Sequence, residues 1–245
     1  IGREMARATW GNTMKSMATL SRKAATLVLL GAMIFGATFA TANATDVDDA
    51  IIGLWTEDEH VLVVDGGLGA NTAFNFKRTL NENPQVRTIL LNSGGGLVSA
   101  GLEIAQLIAN RRLDTWVPES AMCASACSVV YFSGANRLAD GQLGVHQIAM
   151  NIENNLEVQY TASDMIEAFN RYGTHPNVFA AMFRTPPDKM YFFTNNEKVL
   201  FEIQRGILSA PVRNNTQPLP ELIPPEELFG NSTSILEGLK LQDHN

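Results

Sequence analysis

The sequence predicts an α/β fold in which a parallel sheet is covered by helices, and three observations carry this reading. Between residues 46 and 210, strand-like runs alternate with segments of helical spacing at least three times in succession. The first of those runs is continuously apolar and β-branched, as a strand buried on both faces must be. It ends in glycines that turn the chain into the next element, and such alternation is how parallel strands are joined through crossover helices.

The first unit pairs the strand His60–Asp65 with a helix over Ala70–Leu80, in which Ala73, Phe76, Lys77 and Leu80 fall at helical intervals. The second pairs Arg87–Asn92, preceded by Val86, with a helix over Val98–Asn110 whose apolar residues are Leu102, Ala105, Leu107 and Ile108. A third strand, Asp114–Val117, leads into the small-residue segment Ala121–Ser133. After a strand over Gly144–Ile148 the pattern turns helical, in Ser163–Tyr172, Val178–Phe183 and Asn196–Ile203. Beyond, Pro211, Pro218, Pro220, Pro224 and Pro225 interrupt any periodicity, so residues 45–210 read as the folded domain and 211–245 as a Pro-rich flexible tail.

Residues 1–44 are of a different kind. Arg22-Lys23 precede an uncharged stretch centred on Leu27–Phe39, which ends in Ala42-Asn43-Ala44, the order of a secretory signal peptide. The expected start is Met14 or Met17 with upstream residues before it, and the expected product is periplasmic or secreted, beginning near Thr45. The alternative is an anchor in the inner membrane, since Ala24–Ala40 is near the lower length of a span.

With 45% hydrophobic and 18% charged residues the chain has an ordinary globular composition, which excludes a disordered or collagen-like chain. The net charge is −7, and the first 44 residues hold five bases against the single acid Glu4, so the remainder is more acidic still. Such a surface offers no attraction to nucleic acid or to an anionic membrane.

Several motifs could carry chemistry. Gly66-Gly67-Leu68-Gly69 follows the first strand, but Thr72 occupies the third glycine position of a dinucleotide loop and the second strand ends in Asn92 where a ribose-binding acid would stand, so a glycine turn is the plainer account. Asn92-Ser93-Gly94-Gly95-Gly96 opens a helix with uncovered backbone N–H groups, which suits either a tight turn or an oxyanion site, and without a following Lys it is not a phosphate-binding P-loop. In Cys123-Ala124-Ser125-Ala126-Cys127 small neighbours would admit a substrate carbonyl to a nucleophile, or would simply let helices pack closely. Two cysteines and four histidines make no closed metal site. Read as helical positions i and i+4, Cys123 and Cys127 would lie ~6 Å apart, within disulfide range, and an exported protein would meet an oxidising compartment. Of His60, His146, His175 and His244, only His146 stands at the end of a sheet strand, where ligand sites collect.

Three of these motifs together resemble a known family. Leu91–Gly101 is similar to the glycine loop and following helix of the Clp protease proteolytic subunit, Ala124-Ser125-Ala126 to its nucleophile segment, and Val145-His146-Gln147 to its histidine strand, in the family's order over roughly residues 61–201. Gly94 stands where the family has proline, Ala126 where it usually has methionine, and Ile148 where a proline follows His-Gln. The resemblance extends to secreted bacterial members of the superfamily. It implies the Clp/crotonase-like fold, a spiral of ββα units, and a homo-oligomer acting on peptides without a cofactor. It further implies Ser125 as nucleophile, His146 as general base, Asp188 as the third member, with Asp164 or an amide as substitutes, and the Gly96 and Ala126 N–H groups as the oxyanion hole. A Ser-Lys dyad would require Lys77 or Lys189 to fold back, since no lysine lies between them. Outside the cytoplasm no ATPase partner is expected, so short or unfolded peptides would be the substrates. A non-catalytic binding or assembly protein is the rival reading, and acyl-CoA chemistry fits export poorly.

Overall fold

The computed structural model describes residues 47–148, 155–208, 221–224 and 226–228, all within the unit Ala44–Asn245. The expected signal segment and most of the tail lie outside these residues. No described helix is long and apolar enough to cross a membrane.

The fold is α/β. Its elements in order are β1 (Ile51–Trp55), β2 (Asp58–Asp65), α1 (Thr72–Glu82), β3 (Thr88–Asn92), α2 (Val98–Arg111), β4 (Asp114–Val117), β5 (Met122–Ala124), α3 (Ala126–Phe132), β6 (Arg137–Ala139), β7 (Gln142–Val145), α4 (Asn155–Arg171), α5 (Pro176–Arg184), β8 (Tyr191–Phe192) and α6 (Asn195–Leu200). Two sheets result, a larger one in the order β1-β2-β3-β4-β6 and a smaller one in the order β5-β7-β8. β2, β3, β4 and β6 run parallel to their neighbours, while β1 and β8 are antiparallel additions at the edges. Successive pairs of strands divide between the sheets: β4 lies in the large sheet, β5 in the small one and α3 follows, then β6, β7 and α4 repeat the sequence. Earlier turns of the same spiral continue the small layer as single bridges, Leu68 with Gly96 and Ser93 with Cys123.

Period-2 alternation within β2 explains how the large sheet is covered. Leu62 and Val64 face the helices with Phe76 and Leu80 of α1, Ile104 and Ile108 of α2 and Tyr131 of α3. Val61 and Val63 face the other side, where Trp55, Leu90 and Trp116 form a second cluster. Because both faces are buried, the strand reads as an unbroken apolar run, which is why the sequence revealed it. β1, β6 and β8 were not anticipated: β1 contains Gly53 and is largely half-exposed, and β6 and β8 are three and two residues long.

Asn92, at the end of β3, ties the two sheets and part of the tail together. Its amide donates to Asp65 Oδ1 (2.7 Å) and to the Ile223 carbonyl (2.7 Å), and its Oδ1 accepts from the Met122 N–H of β5 (3.1 Å). Ile223 N–H returns a bond to Asp65 Oδ2 (3.0 Å). The tail expected to be flexible from Pro211 is therefore docked at residues 221–224, where Leu222 packs on both apolar clusters of the large sheet and Leu228 on Met122, Ala124 and Phe192. Prolines break periodicity without preventing an extended segment from docking.

Asn92→Ala removes the amide that pairs the buried Asp65 and Met122 N–H and the half-buried Ile223 O, leaving Asp65 only its bond from Ile223 N–H. The expected loss is about 2–4 kcal/mol, read as a lower urea midpoint at unchanged slope.

Candidate active site

The small-residue segment expected to be one helix is split by a sharp turn. Cys123 and Ala124 complete β5, Ser125 turns, and α3 begins at Ala126. Ser125 has φ 56° and ψ −128°, a conformation that a side chain bearing Cβ rarely adopts and that costs about 1–3 kcal/mol. Three main-chain bonds hold it there: Ser93 N–H to Met122 O (2.8 Å), Ala124 N–H to Ser93 O (2.9 Å) and Ser125 N–H to Gly144 O (3.1 Å). The result is a strand-to-helix elbow that lifts Oγ out of the chain path.

Ser125 and His146 meet. His146 follows β7, and its Nε2 lies 2.6 Å from Ser125 Oγ. The chain around it is anchored to the end of α5, by Gln147 N–H to Thr185 O (2.9 Å) and Gln147 Nε2 to Phe183 O (2.6 Å). At Nδ1 the acceptor is the main-chain carbonyl of Pro187 at 3.1 Å, where the sequence reading expected the Asp188 carboxylate. Asp188 is exposed one residue further on, and Asp164 is exposed on α4. The physical reason is local: the turn that follows α5 brings a carbonyl, not a side chain, to the ring. A carbonyl only accepts, so Nδ1 carries the hydrogen and Nε2 is left as the acceptor for the serine proton. Burial holds the imidazole below its ordinary pKa, against a smaller upward pull from the Pro187 carbonyl.

The glycine loop lies alongside. Gly95 has φ 101°, and a Cβ added to it would fall 2.6 Å from Ser125 Cβ and 3.0 Å from Ala126 N. Gly95 is thus the glycine that lets the loop touch Ser125, and sequence reasoning missed it although it stands in the same motif. A Cβ on Gly96 would instead strike Leu68 O at 2.6 Å. The bridge to Leu68 uses the Gly95 carbonyl and the Leu97 N–H, so in parallel pairing the Gly96 N–H is turned to the opposite side, where β5 lies. Ala126 N–H, at the first position of α3, has no acceptor within its own helix.

Cys123 and Cys127 are joined in a disulfide with a Cα–Cα distance of 5.2 Å, and both are fully buried. They are not two positions of one helix as expected: Cys123 lies within β5 and Cys127 is in the first turn of α3, so the bridge spans the elbow with Ser125 at its centre. Lysine plays a different part. Lys198 is buried and donates to Ala139 O (3.0 Å) and Gly141 O (2.6 Å), while the hydroxyl of Ser125 is met by His146. Among the described residues no cluster of three or more His, Cys, Asp or Glu could hold an ion.

No protein-family model matches the chain, and no curated protein matches it. Among solved structures it is similar to a mutant form of ClpP1 from Listeria monocytogenes, at 20% identity and a TM-score of 0.44 over 60% of this chain and 89% of that one. It is also similar to a peptidase from Plasmodium falciparum, at 16% identity and a TM-score of 0.47 over 61% of this chain and 95% of that one.

The depressed His146 pKa sets the pH dependence of the pair. Because the folded value lies below 6.5, the neutral base persists as pH falls through 6.5 and is lost only at lower pH. Imidazole titration followed by NMR should place the His146 midpoint below 6.5, and the acid limb of any hydrolysis rate should coincide with it; a midpoint above 6.5 would contradict the buried geometry.

Proposed function

We propose that this chain is an exported, Clp-like serine hydrolase, a peptidase acting on short or unfolded peptides. The observation that carries the proposal is the 2.6 Å contact of Ser125 Oγ with His146 Nε2 at a turn of positive φ. The strand-sharing spiral and the order of the motifs along the chain support it. In this reading Ser125 Oγ attacks the acyl carbonyl as its proton passes to Nε2. The tetrahedral oxyanion is received by the N–H groups of Gly96 and Ala126, and the imidazolium returns the proton to the leaving amine. Water then repeats the cycle on the acyl-enzyme. Pro187 O holds the tautomer, and the exposed Asp188 acts at most as a nearby charge. No cofactor takes part, and a homo-oligomer without an ATPase partner is the proposed assembly.

A second reading, a binding or assembly protein that has kept the fold without turnover, is favoured by one observation: a carbonyl rather than a carboxylate faces Nδ1. A fluorophosphonate probe and a library of short peptides separate the two. The enzyme reading expects covalent labelling of Ser125 and hydrolysis. Ser125→Ala and His146→Ala should each lower the rate at least about a thousandfold, with the double variant little worse, because both serve one proton transfer. Asp188→Asn should leave most of the rate. A folded protein that neither labels nor hydrolyses supports the binding reading.

Export is proposed on the order of basic, apolar and small residues in the first 44 positions, supported by a disulfide of the kind that persists in oxidising compartments. Mass spectrometry of protein from its native host should find a chain beginning near Thr45; an intact segment 27–39 in the membrane fraction would indicate an anchor instead.

A further inference from the structure

At the far end of α3 from Ser125 the surface holds a second chemically distinct place. A cavity of about 380 Å³ opens where the C-terminal ends of α2, α3 and α4 converge, and Arg112, Arg171 and Arg205 line it with Tyr172 and the Gly134 turn. Beneath it lies Arg137, which is 2% exposed and donates to the carbonyls of Phe132 (3.0 Å) and Tyr172 (3.4 Å), while its Nε has no hydrogen-bond partner. Four guanidinium groups therefore gather in a chain whose net charge is −7.

Among the described residues, a carboxylate answers this charge only in part. Glu167 pairs with Arg171 at 2.5 Å. Arg205 gives one long bond to Gly134 O (3.3 Å), and its charge combines with burial to lower the pKa of Arg137 to about 10.

Helix capping occupies only part of it: Arg137 caps the ends of α3 and α4 through Phe132 O and Tyr172 O, while Val130 O accepts from Ser133 Oγ (2.7 Å) and Tyr131 O from Thr115 Oγ1 (2.7 Å). Arg112 sits at φ 55° as the C-cap of α2, a position that glycine normally fills without strain. A residue with a long cationic side chain has been kept where conformation alone would favour none.

We propose that this cavity is a binding site for a phosphate-class dianion, such as a phosphomonoester or pyrophosphate group. Guanidinium forks match the geometry of phosphate oxygens in pairs, and an anion seated among them would offset the mutual repulsion of Arg112, Arg205 and the buried Arg137. The volume admits more than a bare phosphate. The site is separated from Ser125 by the length of α3, seven residues or roughly 10 Å, so it does not depend on the hydrolase reading.

The test uses the full chain with inorganic phosphate, pyrophosphate and glycerol phosphate, each titrated by calorimetry at constant ionic strength set with chloride. Saturable binding is expected, unchanged in Ser125→Ala, and weakened about tenfold or more in the Arg112→Gly, Arg205→Ala double variant. Arg112→Gly relieves the left-handed cap, so loss of binding with an equal or higher melting temperature separates the site from a folding defect. Vesicles containing phosphatidic acid form a parallel arm: sedimentation that the double variant loses, together with no binding of the soluble anions, would assign the same chemistry to a lipid headgroup. The proposal is overturned if neither arm shows binding, if the heat follows ionic strength alone, or if the double variant binds as the unaltered chain does.

Discussion

The arrangement of the site depends on one backbone constraint, the left-handed turn at Ser125. A strand that simply ran on into α3 would carry the hydroxyl along the chain. The turn instead reverses direction between two residues and leaves Oγ projecting toward His146. It survives only because neighbours on three sides over-determine it. β5 is clamped to Ser93, the Ser125 N–H is taken by Gly144, and Gly95 presses against Ser125 Cβ where any side chain would collide. Helix α2 closes in by the same means, since a Cβ on Gly101 would fall 2.8 Å from Ala126 O. Gly95 of the loop and Gly101 of α2 are thus the negative image of the Ser125 turn.

Substituting a carbonyl for a carboxylate at His146 divides the usual task of a third member into two parts. Orientation and tautomer are kept, because Pro187 O can only accept and so places the hydrogen on Nδ1. Charge compensation is not, because a dipole offers an imidazolium less than a full negative charge does. Burial works in the same direction by disfavouring the charged ring. Under the proposed hydrolase reading, the pair begins with a neutral imidazole at neutral pH and meets its cost when the proton arrives, so the donors around the oxyanion would carry a larger share of the stabilisation.

What the sequence disclosed and what it hid follow from the range of the interactions involved. β2, β3, α1 and α2 were legible because burial imposes a period on every residue of a long element. β6 and β8 were not, since a two- or three-residue strand is defined by its hydrogen-bonding neighbour and has no period to read, and β1 was not because Gly53 and its half-exposed edge position blur its pattern. Ser125 and His146 could be named from residue type, motif order and strand position. The exchange of Asp188 for Pro187 could not, because every residue in that turn, proline included, presents a main-chain carbonyl, and a main-chain acceptor leaves no signature in side chains. The docking of Ile223 was hidden for the same reason: its contacts with Asp65 and Asn92 are made by its backbone.

The Cys123–Cys127 bridge is best understood by comparing magnitudes. Closing a loop with a sequence separation of only four restricts the unfolded chain little, ~2 kcal/mol on the chain-entropy view, which is near the low end for a disulfide. The same amount is comparable with the roughly 1–3 kcal/mol stored in a non-glycine turn of positive φ. β5 has three residues and α3 has seven, each too short to hold its own geometry in isolation. A crosslink from the middle of β5 to the first turn of α3 therefore adds little to global stability beyond offsetting the strain at Ser125, on which its effect is concentrated. Both sulfurs are fully buried beneath the elbow, so the bridge braces from below the same turn that sets Ser125 Oγ against His146 Nε2.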